Sequence, residues 1–295
     1  MKFLFCENIL NPKSVDDAFI EEYECVINNG FSILLFNYED KSSDRIKTNN
    51  EKTEEIIYRG WMLTPTEYNK LYYELLSKKY KLINNPTEYQ NCHYLPDSLK
   101  FIENYTPKTI FQKIENNNSI STLLDNSKIF NGKAVIVKDY VKSEKHYWDA
   151  ACYVENSNDL EKIKRTIENL MELRGNYLNE GIVIREYIEL NKLKNHSKSN
   201  MPLSEEYRMF FYKNELLCIL NYWEEGDYSI ENPQTKEFEN IAKNIESNFF
   251  TMDIAKDKNG NYIIIELGDG QVAGIPENVD KNIIYTNIRK KQLGV

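Results

Sequence analysis

Two acidic residues near the end of the chain interrupt apolar strand patterns. Residues 251–271 read TMDIAKDKNGNYIIIELGDGQ, and the Asn259-Gly260 pair between two apolar runs is typical of a β-hairpin with a two-residue type I′ turn. Such a turn would place Asp253 directly opposite Glu266, where like charges repel. A divalent cation would remove that repulsion, and Mg²⁺ prefers carboxylate oxygens together with nucleotide phosphates. The stretch therefore predicts a metal site, with two acids at a solvated sheet margin as the alternative.

A third acid follows in a segment that is rich in glycine. Four of the chain's 11 glycines fall between residues 260 and 274, and Asp269 lies among them. Glycine lets the backbone approach a ligand closely, because it has no side chain and adopts positive φ freely. Turn formation alone explains Gly260, whereas Gly268 and Gly270 are compatible with either a turn or a ligand-binding loop. The segment extends the predicted metal site to Asp269.

Lysine side chains accompany two strand patterns in the middle of the chain. Lys138 interrupts the apolar run AVIVKDYVK, and a buried ammonium group is costly unless it has an anionic partner. A phosphate group is one such partner, while a lysine on the open face of an edge strand is the alternative that this residue alone favours. Lys142 follows in a polar loop, and Lys108 precedes the strand pattern TIFQ. These two lysines give a weaker form of the same prediction.

Charged residues also occur in two later strand patterns. Arg185 and Glu186 end the apolar run of GIVIREYIEL, and residues 187–188 then offer unpaired backbone groups. In EYRMFFY, Glu206 and Arg208 lie on one face of the strand because side chains alternate between faces. A salt bridge across the sheet is the simpler explanation of that pair by itself.

The elements that must position these residues form two regions of different character. Residues 1–90 alternate strand and helix patterns in the order β-α-β-β-α-β, which is typical of a small α/β domain with a mostly parallel sheet. The TPTE segment at residues 64–67 predicts a helix start with a capping Thr, a Pro and a Glu. Residues 91–106 are interpreted as a connector, and the strand and helix patterns beyond them indicate an α+β region.

The composition is that of a globular protein, with 41% hydrophobic and 28% charged residues among 295. The net charge of −9 argues against extended binding to nucleic acid, although a local basic groove is compatible with it. Five scattered cysteines without a C-x-x-C pattern and three isolated histidines argue against a disulfide framework, a zinc site and a histidine relay. The sequence shows neither a signal-peptide pattern nor a membrane-spanning run, and it predicts a cytoplasmic protein.

Three of these motifs together resemble a known superfamily. YRGWML, VIVKDYVKS and ELGDGQVAG, with the charged strands between them, resemble the ATP-grasp superfamily over about residues 107–276. The narrower resemblance is to the bacterial and phage clade named for an Arg and two Lys. It implies an α+β fold with one lobe at residues 107–188 and a second, metal-binding lobe at residues 189–295, preceded by a pre-ATP-grasp α/β domain at residues 1–90.

The resemblance also implies roles for the charged residues, with ATP and Mg²⁺ as ligands. Asp253, Glu266 and Asp269 would hold one or two Mg²⁺ ions, and Arg208 would steady the transferred phosphoryl group. Lys138 would contact the phosphates and the adenine edge. Glu186 would accept from the adenine amino group, Tyr187 and Ile188 would offer backbone hinge contacts, and Glu206 would bind ribose. The residues that would bind the nucleotide are therefore Lys108, Lys138, Glu186, Tyr187, Ile188 and Glu206.

Three positions depart from the family pattern. The loop after the first strand lysine has no glycine in this chain, so Lys142 would replace backbone amides. Arg208, Lys142 and Arg59 are the candidate catalytic residues. Gly268 stands where the family has an Asn in its last metal motif, which leaves open whether Asp269 or a neighbour is the third ligand. Thr251 stands where a basic residue often precedes the first metal aspartate. The basic residues that could serve in its place are Arg208, Arg185 and Arg59.

The activity implied by the resemblance is ATP-dependent joining of a carboxylate to an amine through an acyl phosphate, with release of ADP and phosphate. Arg59, at the end of a strand pattern, is a candidate for bidentate binding of a substrate carboxylate, and a surface arginine stacked on Trp61 is the alternative. Small molecules or peptides are the expected substrates. A phosphotransferase and a non-catalytic nucleotide-sensing module on the same fold are the alternative functions.

Overall fold

The computed structural model describes residues 1–47, 51–116, 118–197, 202–229, 233–277 and 279–294, which form two compact units. The first unit combines Met1–His93, Lys192–Ile254 and Leu267–Val295, and the second unit combines Tyr94–Asn191 and Ala255–Glu266. The sequence predicted four consecutive segments instead of these two units, and those segment boundaries stay a prediction. None of the helices in the described ranges combines the length and apolar character needed to cross a bilayer.

Strands and helices are mixed along the described chain. The strands are β1 (Lys2–Cys6), β2 (Ser32–Phe36), β3 (Glu54–Arg59), β4 (Tyr80–Leu82), β5 (Thr109–Lys113), β6 (Val135–Asp139), β7 (Tyr153–Val154), β8 (Gly181–Glu186), β9 (Lys192–Asn195), β10 (Pro202–Ser204), β11 (Glu206–Tyr212), β12 (Glu215–Asn221), β13 (Phe249–Lys256) and β14 (Tyr262–Asp269). The α-helices are α1 (Ile20–Asn28), α2 (Pro65–Ser77), α3 (Pro86–His93), α4 (Leu95–Ile102), α5 (Asn118–Ser127), α6 (Leu160–Arg174), α7 (Lys236–Ala242) and α8 (Asn282–Leu293).

The N-terminal sheet of the first unit is parallel, with the strand order β2-β1-β3-β4. Side chains of β1 alternate between two hydrophobic clusters, because neighbouring residues of a strand point to opposite faces. Phe3 and Phe5 pack in the cluster that contains Val26 of α1, and Leu4 packs in the cluster that contains Leu71 of α2. The sheet is therefore buried on both faces, as parallel sheets usually are, and the predicted α/β character of this region is confirmed.

The helix start predicted at residues 64–67 is a complete capping box. The Thr64 hydroxyl accepts a hydrogen bond from the Glu67 amide at 3.2 Å, and the Glu67 carboxylate accepts one from the Thr64 amide at 2.8 Å. These bonds satisfy amide groups that the first turn of a helix leaves unpaired. A similar cap begins α6, where the Asp159 carboxylate accepts from the Lys162 amide at 2.9 Å.

The sheet of the second unit is antiparallel, with the order β5-β8-β6-β7. Val137 of β6 is paired with Ile184 of β8, and both side chains belong to the core cluster of this unit. Ile136 is paired with Arg185 in the same register, and Lys138 lies two residues beyond Ile136. Because alternate residues share a face, Arg185 and Lys138 lie on the face opposite this core. The register thus brings two cationic residues together.

The turn between β13 and β14 differs from the predicted one. Gly260 has a φ of +86°, but Asn259 does not have a positive φ, which a type I′ turn requires. The Gly260 amide donates to the Asp257 carbonyl at 3.0 Å, and the Asp257 amide donates to the Asn261 carbonyl at 2.8 Å. This pattern is a type I turn followed by a glycine bulge, the three-residue alternative for an Asn-Gly sequence. The predicted type I′ turn is therefore wrong. At the tip of the hairpin, the pairing of the strands is shifted by one residue from the predicted register.

The other end of this hairpin follows the predicted register. The Gly270 amide donates to the Phe249 carbonyl at 2.9 Å. A Cβ atom on Gly270 would lie 2.9 Å from the Phe249 carbonyl carbon, so close backbone packing requires glycine here without any ligand. The predicted facing of Asp253 and Glu266 stays a prediction.

Candidate functional site

Lys138 projects from β6 in the second unit and has a carboxylate partner there. Its Nζ donates to Oε2 of Glu266 at 3.0 Å. The lysine is only 7% exposed, whereas the Glu266 side chain is 33% exposed. The ion pair satisfies an ammonium group whose burial would otherwise be costly. Lys138 therefore has an anionic partner within the protein, and its contact with a phosphate stays a prediction.

Arg185 lies on the same sheet face as Lys138 and holds backbone carbonyls of β14. Its Nη1 donates to the Ile265 carbonyl at 2.5 Å, and its Nη2 donates to the Ile264 carbonyl at 3.2 Å and to the Thr106 hydroxyl. These bonds fix the part of β14 that directly precedes Glu266, a predicted metal ligand. Arg185 thus supports the backbone of β14. Because the groups that accept these hydrogen bonds are neutral, they do not neutralise its positive charge.

The charge of Arg185 is poorly compensated. Its Nε has no hydrogen-bond partner among the described residues. Burial lowers the pKa of Arg185 to about 10, and the electrostatic attraction of Glu266 opposes that shift. A buried guanidinium of this kind is suited to an anionic ligand. Sequence reasoning considered Arg185 only as a substitute basic residue, although it interrupts an apolar strand in the same way as Lys138.

Glu186 and Lys108 meet where β8 ends. The Glu186 carboxylate accepts from Lys133 Nζ at 2.6 Å, and the Glu186 amide donates to the Lys108 carbonyl at 2.9 Å. The Lys108 side chain is exposed. Glu186 is thus held by a lysine that sequence reasoning did not single out. Its predicted contact with an adenine amino group stays a prediction.

Tyr187 and Ile188 follow β8 outside any strand. The Tyr187 amide donates to the Ala134 carbonyl at 2.8 Å, so this predicted hinge amide is already used within the protein. The Tyr187 ring lies edge-on to Tyr153 at 5.1 Å and to Trp148 at 6.0 Å. Sequence reasoning missed this aromatic cluster because its three members are irregularly spaced along the chain. It gives the second unit an aromatic surface beside the proposed hinge.

The glycine-free loop after β6 is organised by a buried aspartate. One oxygen of Asp139 accepts from the amides of Val141 at 2.7 Å and Lys142 at 2.5 Å. The other oxygen accepts from Arg174 Nε at 3.1 Å and from the Asn179 side chain at 2.9 Å. Asp139 therefore fixes the backbone at Lys142 through its side chain. In a glycine-rich loop, the conformation of the backbone itself shapes the loop. The catalytic role of Lys142 stays a prediction.

Arg208 and Asp253 form a close ion pair between β11 and β13 in the first unit. Arg208 donates through Nε to Oδ1 at 2.8 Å and through Nη2 to Oδ2 at 2.7 Å. The Arg208 side chain is 15% exposed and that of Asp253 is 4% exposed. The guanidinium also lies 4.9 Å from the Tyr222 ring centre. A predicted metal ligand and the predicted phosphoryl-binding arginine are thus paired with each other.

Glu206 begins β11 and is nearly buried. The Ser204 hydroxyl donates to its carboxylate. The Glu206 carbonyl accepts from the Tyr222 amide at 3.1 Å and from the Tyr228 hydroxyl at 2.8 Å. These contacts anchor the start of the strand that carries Arg208. The ribose-binding role of Glu206 stays a prediction.

Asp269 ends β14 in the first unit, and amide groups surround its buried carboxylate. Its Oδ2 accepts from Asn84 Nδ2 at 2.6 Å, and its Oδ1 accepts from the Gln271 amide at 2.9 Å and from Gln271 Nε2 at 3.2 Å. Burial raises the pKa of Asp269 to about 7, although these hydrogen bonds oppose the shift. Both oxygens are therefore occupied within the protein. This geometry favours a structural role, and metal ligation by Asp269 stays a prediction.

Arg59 ends β3 and is 2% exposed, which differs from the surface position considered as the alternative for it. Its Nε and Nη2 donate to the two oxygens of Glu22 at 2.8 Å and 2.9 Å. Its Nη1 donates to the carbonyls of Gly270 at 2.5 Å and Ala273 at 2.9 Å. Although burial alone would lower it, Glu22 raises the pKa of the Arg59 guanidinium above its ordinary value. A guanidinium engaged in this way is not a surface arginine, and its binding of a substrate carboxylate stays a prediction.

Trp61 also differs from expectation, since it contacts other partners than Arg59. Its ring lies edge-on to Phe19 at 5.2 Å, and its Nε1 donates to Asp16 Oδ2 at 3.1 Å. The expected stacking of Arg59 on Trp61 is therefore wrong, because the arginine turns inward to Glu22.

Asp253 in the first unit and Glu266 in the second unit are the carboxylates predicted to bind Mg²⁺. Among the described residues, no three His, Cys, Asp or Glu side chains are grouped as a metal-binding cluster. Mg²⁺ usually takes only one or two carboxylates, together with water and phosphate oxygens. Metal ligation by either carboxylate therefore stays a prediction.

Solved structures with the same architecture are ATP-grasp proteins. D-cycloserine synthetase DcsG has a TM-score of 0.60 at 11% identity, with 99% of each chain covered. The RimK domain protein ATP-grasp from Sphaerobacter thermophilus has a TM-score of 0.58 at 10% identity, covering 99% of this chain and 100% of its own. A RiPP-associated ATP-grasp ligase from Chryseobacterium gregarium has a TM-score of 0.55 at 14% identity, covering 99% and 96%. The chain has the ATP-grasp fold, which confirms the predicted fold class.

The family is also defined by sequence. The ATP-grasp domain of R2K clade family 3 matches residues 130–288, which is more than half of the chain. The chain belongs to this family, and the resemblance stated from its motifs is confirmed. No curated protein matches the sequence significantly.

Proposed function

We propose that this protein is an ATP-dependent ligase that joins a carboxylate to an amine and releases ADP and phosphate. Membership in the ATP-grasp family supports this function. Similar structures include D-cycloserine synthetase and the ligase PsnB in complex with a minimal precursor, Mg and ADP. ATP and Mg²⁺ are accordingly the proposed ligands of this chain.

The observation that carries the proposal is the charge on one sheet face of the second unit. Lys138 and Arg185 are each 7% exposed and lie on the same face of β6 and β8. Glu266 is the carboxylate that Lys138 binds, and it also attracts Arg185 electrostatically. Two nearly buried cations therefore share one partly exposed carboxylate. The excess positive charge suits a polyphosphate, since burying unpaired charges without a ligand is costly.

The chemistry proposed for the site is phosphoryl transfer followed by acyl transfer. An oxygen of the substrate carboxylate attacks the γ-phosphorus, the bond to the bridging oxygen breaks, and ADP leaves. The amine nitrogen then attacks the acyl carbon, loses a proton, and phosphate departs with the electrons of the acyl–oxygen bond. Bound Mg²⁺ would neutralise part of the charge on the phosphates. Such reactions depend mainly on positioning and charge stabilisation, which cationic side chains provide.

The proposed division of labour follows from the ion pairs. Lys138 and Arg185 would bind the phosphate chain, and Glu266 and Asp253 would be the carboxylates that hold Mg²⁺. Arg208 would steady the transferred phosphoryl group. The bound metal would supply positive charge beside the phosphates.

The proposed substrates are small molecules or peptides that bring a carboxylate and an amine. Peptides are supported by the similar proteins, because PsnB and the macrocyclase MdnC are bound to precursor peptides. The proposed compartment is the cytoplasm, which the five free cysteines of the chain support.

The test is to incubate purified protein with ATP, Mg²⁺ and pools of amino acids and peptides. ADP and phosphate should appear only with a reactive pair, and mass spectrometry should show a product lighter than the sum of its substrates by one water. Asp253→Asn combined with Glu266→Gln should abolish nucleotide turnover. Glu215→Gln, which alters an exposed carboxylate on β12, is the matched control and should keep it.

The test separates ligation from the alternative functions on the same fold. A stable phosphorylated acceptor without an amide product would identify a phosphotransferase instead. Binding of ATP without turnover of any pool would favour a nucleotide-sensing module, for which the pairing of Asp253 with Arg208 would be a resting state. Unchanged turnover in the double variant would contradict the assignment of both carboxylates.

A further inference from the structure

The segment that follows β14 is held by arginine side chains. Arg59 donates to the carbonyls of Gly270 and Ala273, and Arg208 Nη1 donates to the carbonyl of Gly274 at 2.8 Å. Three carbonyls within five residues are therefore bound by guanidinium groups. Hydrogen bonds from charged donors are stronger than those between neutral groups, so this backbone is held firmly.

Arg59 is itself fixed in place by its partners. Both oxygens of Glu22 accept from it, and the Tyr285 hydroxyl also donates to Glu22. Arg59, Glu22 and Tyr285 are all buried, at 2%, 5% and 1% exposure. A buried pair held by several hydrogen bonds has little freedom to reorient, because losing a partner would leave a buried charge. The direction of the remaining donor group of Arg59, Nη1, is therefore set by Glu22.

The same segment is tied to β3 on either side of Arg59. The Gly60 amide donates to the Gln271 carbonyl at 3.3 Å, and the Tyr58 amide donates to Gln271 Oε1 at 3.3 Å. The Gln271 Nε2 donates to the Tyr68 hydroxyl at 2.7 Å. These bonds fix the position of residues 270–274 along β3. The carbonyls of Gly270 and Ala273 are thereby kept within reach of Arg59.

We infer that Arg59 is a positioning residue for Asp253. Arg59 places the carbonyls of Gly270 and Ala273, and the next residue, Gly274, presents its carbonyl to Arg208. Arg208 in turn holds Asp253 with two parallel hydrogen bonds. Arg59 thus acts on Asp253 through residues 270–274 and Arg208, and its proposed role involves no contact with the substrate. This inference rests on the proposed function, in which Asp253 holds Mg²⁺ while Arg208 keeps it in position.

The experiment compares Arg59→Lys with Arg45→Lys in the full-length protein. Arg45 donates to Glu7 at 2.8 Å in the same N-terminal region, so it controls for loss of an arginine–carboxylate pair. Mn²⁺ replaces Mg²⁺ as the probe and is titrated at saturating AMPPNP by electron paramagnetic resonance. We expect Arg59→Lys to weaken Mn²⁺ affinity about tenfold or more, the usual effect of removing support behind a metal ligand. Arg45→Lys should bind Mn²⁺ as the wild type does.

A purely structural role would lower the urea midpoint of Arg59→Lys but leave the Mn²⁺ affinity of the folded protein unchanged, and that result would overturn the inference. If Arg59→Lys does not fold, Tyr285→Phe decides the question, because it keeps the ring and removes only the hydroxyl that donates to Glu22. A smaller loss of Mn²⁺ affinity in Tyr285→Phe supports the inference, and wild-type affinity overturns it. Absence of AMPPNP binding in the wild type would instead count against the proposed function.

Discussion

The two units hold a carboxylate of the proposed site in different ways. In the first unit, the fork of Arg208 binds both oxygens of Asp253 at 2.8 Å and 2.7 Å. In the second unit, Lys138 binds one oxygen of Glu266 at 3.0 Å, and the glutamate remains one-third exposed, at 33%. A guanidinium is planar and fixes its partner's orientation, whereas an ammonium group is a compact charge that rotates freely. Asp253 is therefore held rigidly, while Glu266 is held loosely.

This difference is one of solvent access. Water solvates part of the Glu266 side chain, which is 33% exposed, whereas the Asp253 side chain is only 4% exposed. Removing the cation should therefore cost more stability at Asp253 than at Glu266.

The largest effect expected from this comparison is on the stability of Arg208→Met. The substitution leaves Asp253 buried without its cation, and breaking a buried pair from one side costs about 3–5 kcal/mol. Urea unfolding of the metal-free protein at neutral pH measures this loss. Adding Asp253→Asn should recover much of it, because the uncompensated charge is then gone. A loss below about 1 kcal/mol, the value for surface pairs, would show that the pair is not rigid.

A carboxylate held by amides alone provides the second test. Among the described residues, amide groups of Asn84 and Gln271 donate to Asp269 and no cation does. Burial raises its pKa to about 7 from an ordinary value of 3.8. The folded state therefore binds a proton more tightly than the unfolded state, and stability falls as pH rises from about 4 to about 7. The loss attributable to this residue is at most about 4 kcal/mol, from about three pKa units.

The measurement for Asp269 is a difference between two proteins. Urea unfolding of the wild type and of Asp269→Asn is followed between pH 4 and pH 8, so that all other titrations cancel. The wild type should lose stability relative to Asp269→Asn as pH rises, with the change complete above pH 7. A difference independent of pH would mean that Asp269 has an ordinary pKa and that the amides compensate its burial fully.

The environment of two candidate site residues could be predicted because charges in apolar strands are visible in the sequence. Lys138 and Asp253 stand out as charged residues among apolar neighbours, and the structure buries both. The capping box before α2 could be predicted as well, since its residues are adjacent in the chain. The ATP-grasp fold was implied by the resemblance of three motifs to that superfamily, which the family match confirms.

The partners of these residues could not be predicted, because they come from distant parts of the chain. Asn84 binds Asp269 across 185 positions, and Arg59 binds the Gly270 carbonyl across 211. No local pattern encodes such contacts, which depend on how whole elements pack. The predicted turn type at Gly260 was wrong for a different reason. An Asn-Gly pair suits two turn types, and the strand pairing they produce differs by one residue.

The smallest effect expected is on the stability of Lys138→Met, and it completes the comparison with Arg208→Met. Methionine can fill the nearly buried space of the lysine chain, and Glu266 keeps contact with water, so the loss should be about 1 kcal/mol or less. Urea unfolding under the same metal-free conditions gives the value directly. The exposed pair of Lys291 with Glu215 is the control, and Lys291→Met should cost no more than this. Equal losses for Lys138→Met and Arg208→Met would contradict the view that one carboxylate is held loosely and the other rigidly, because solvent access would then not decide the cost.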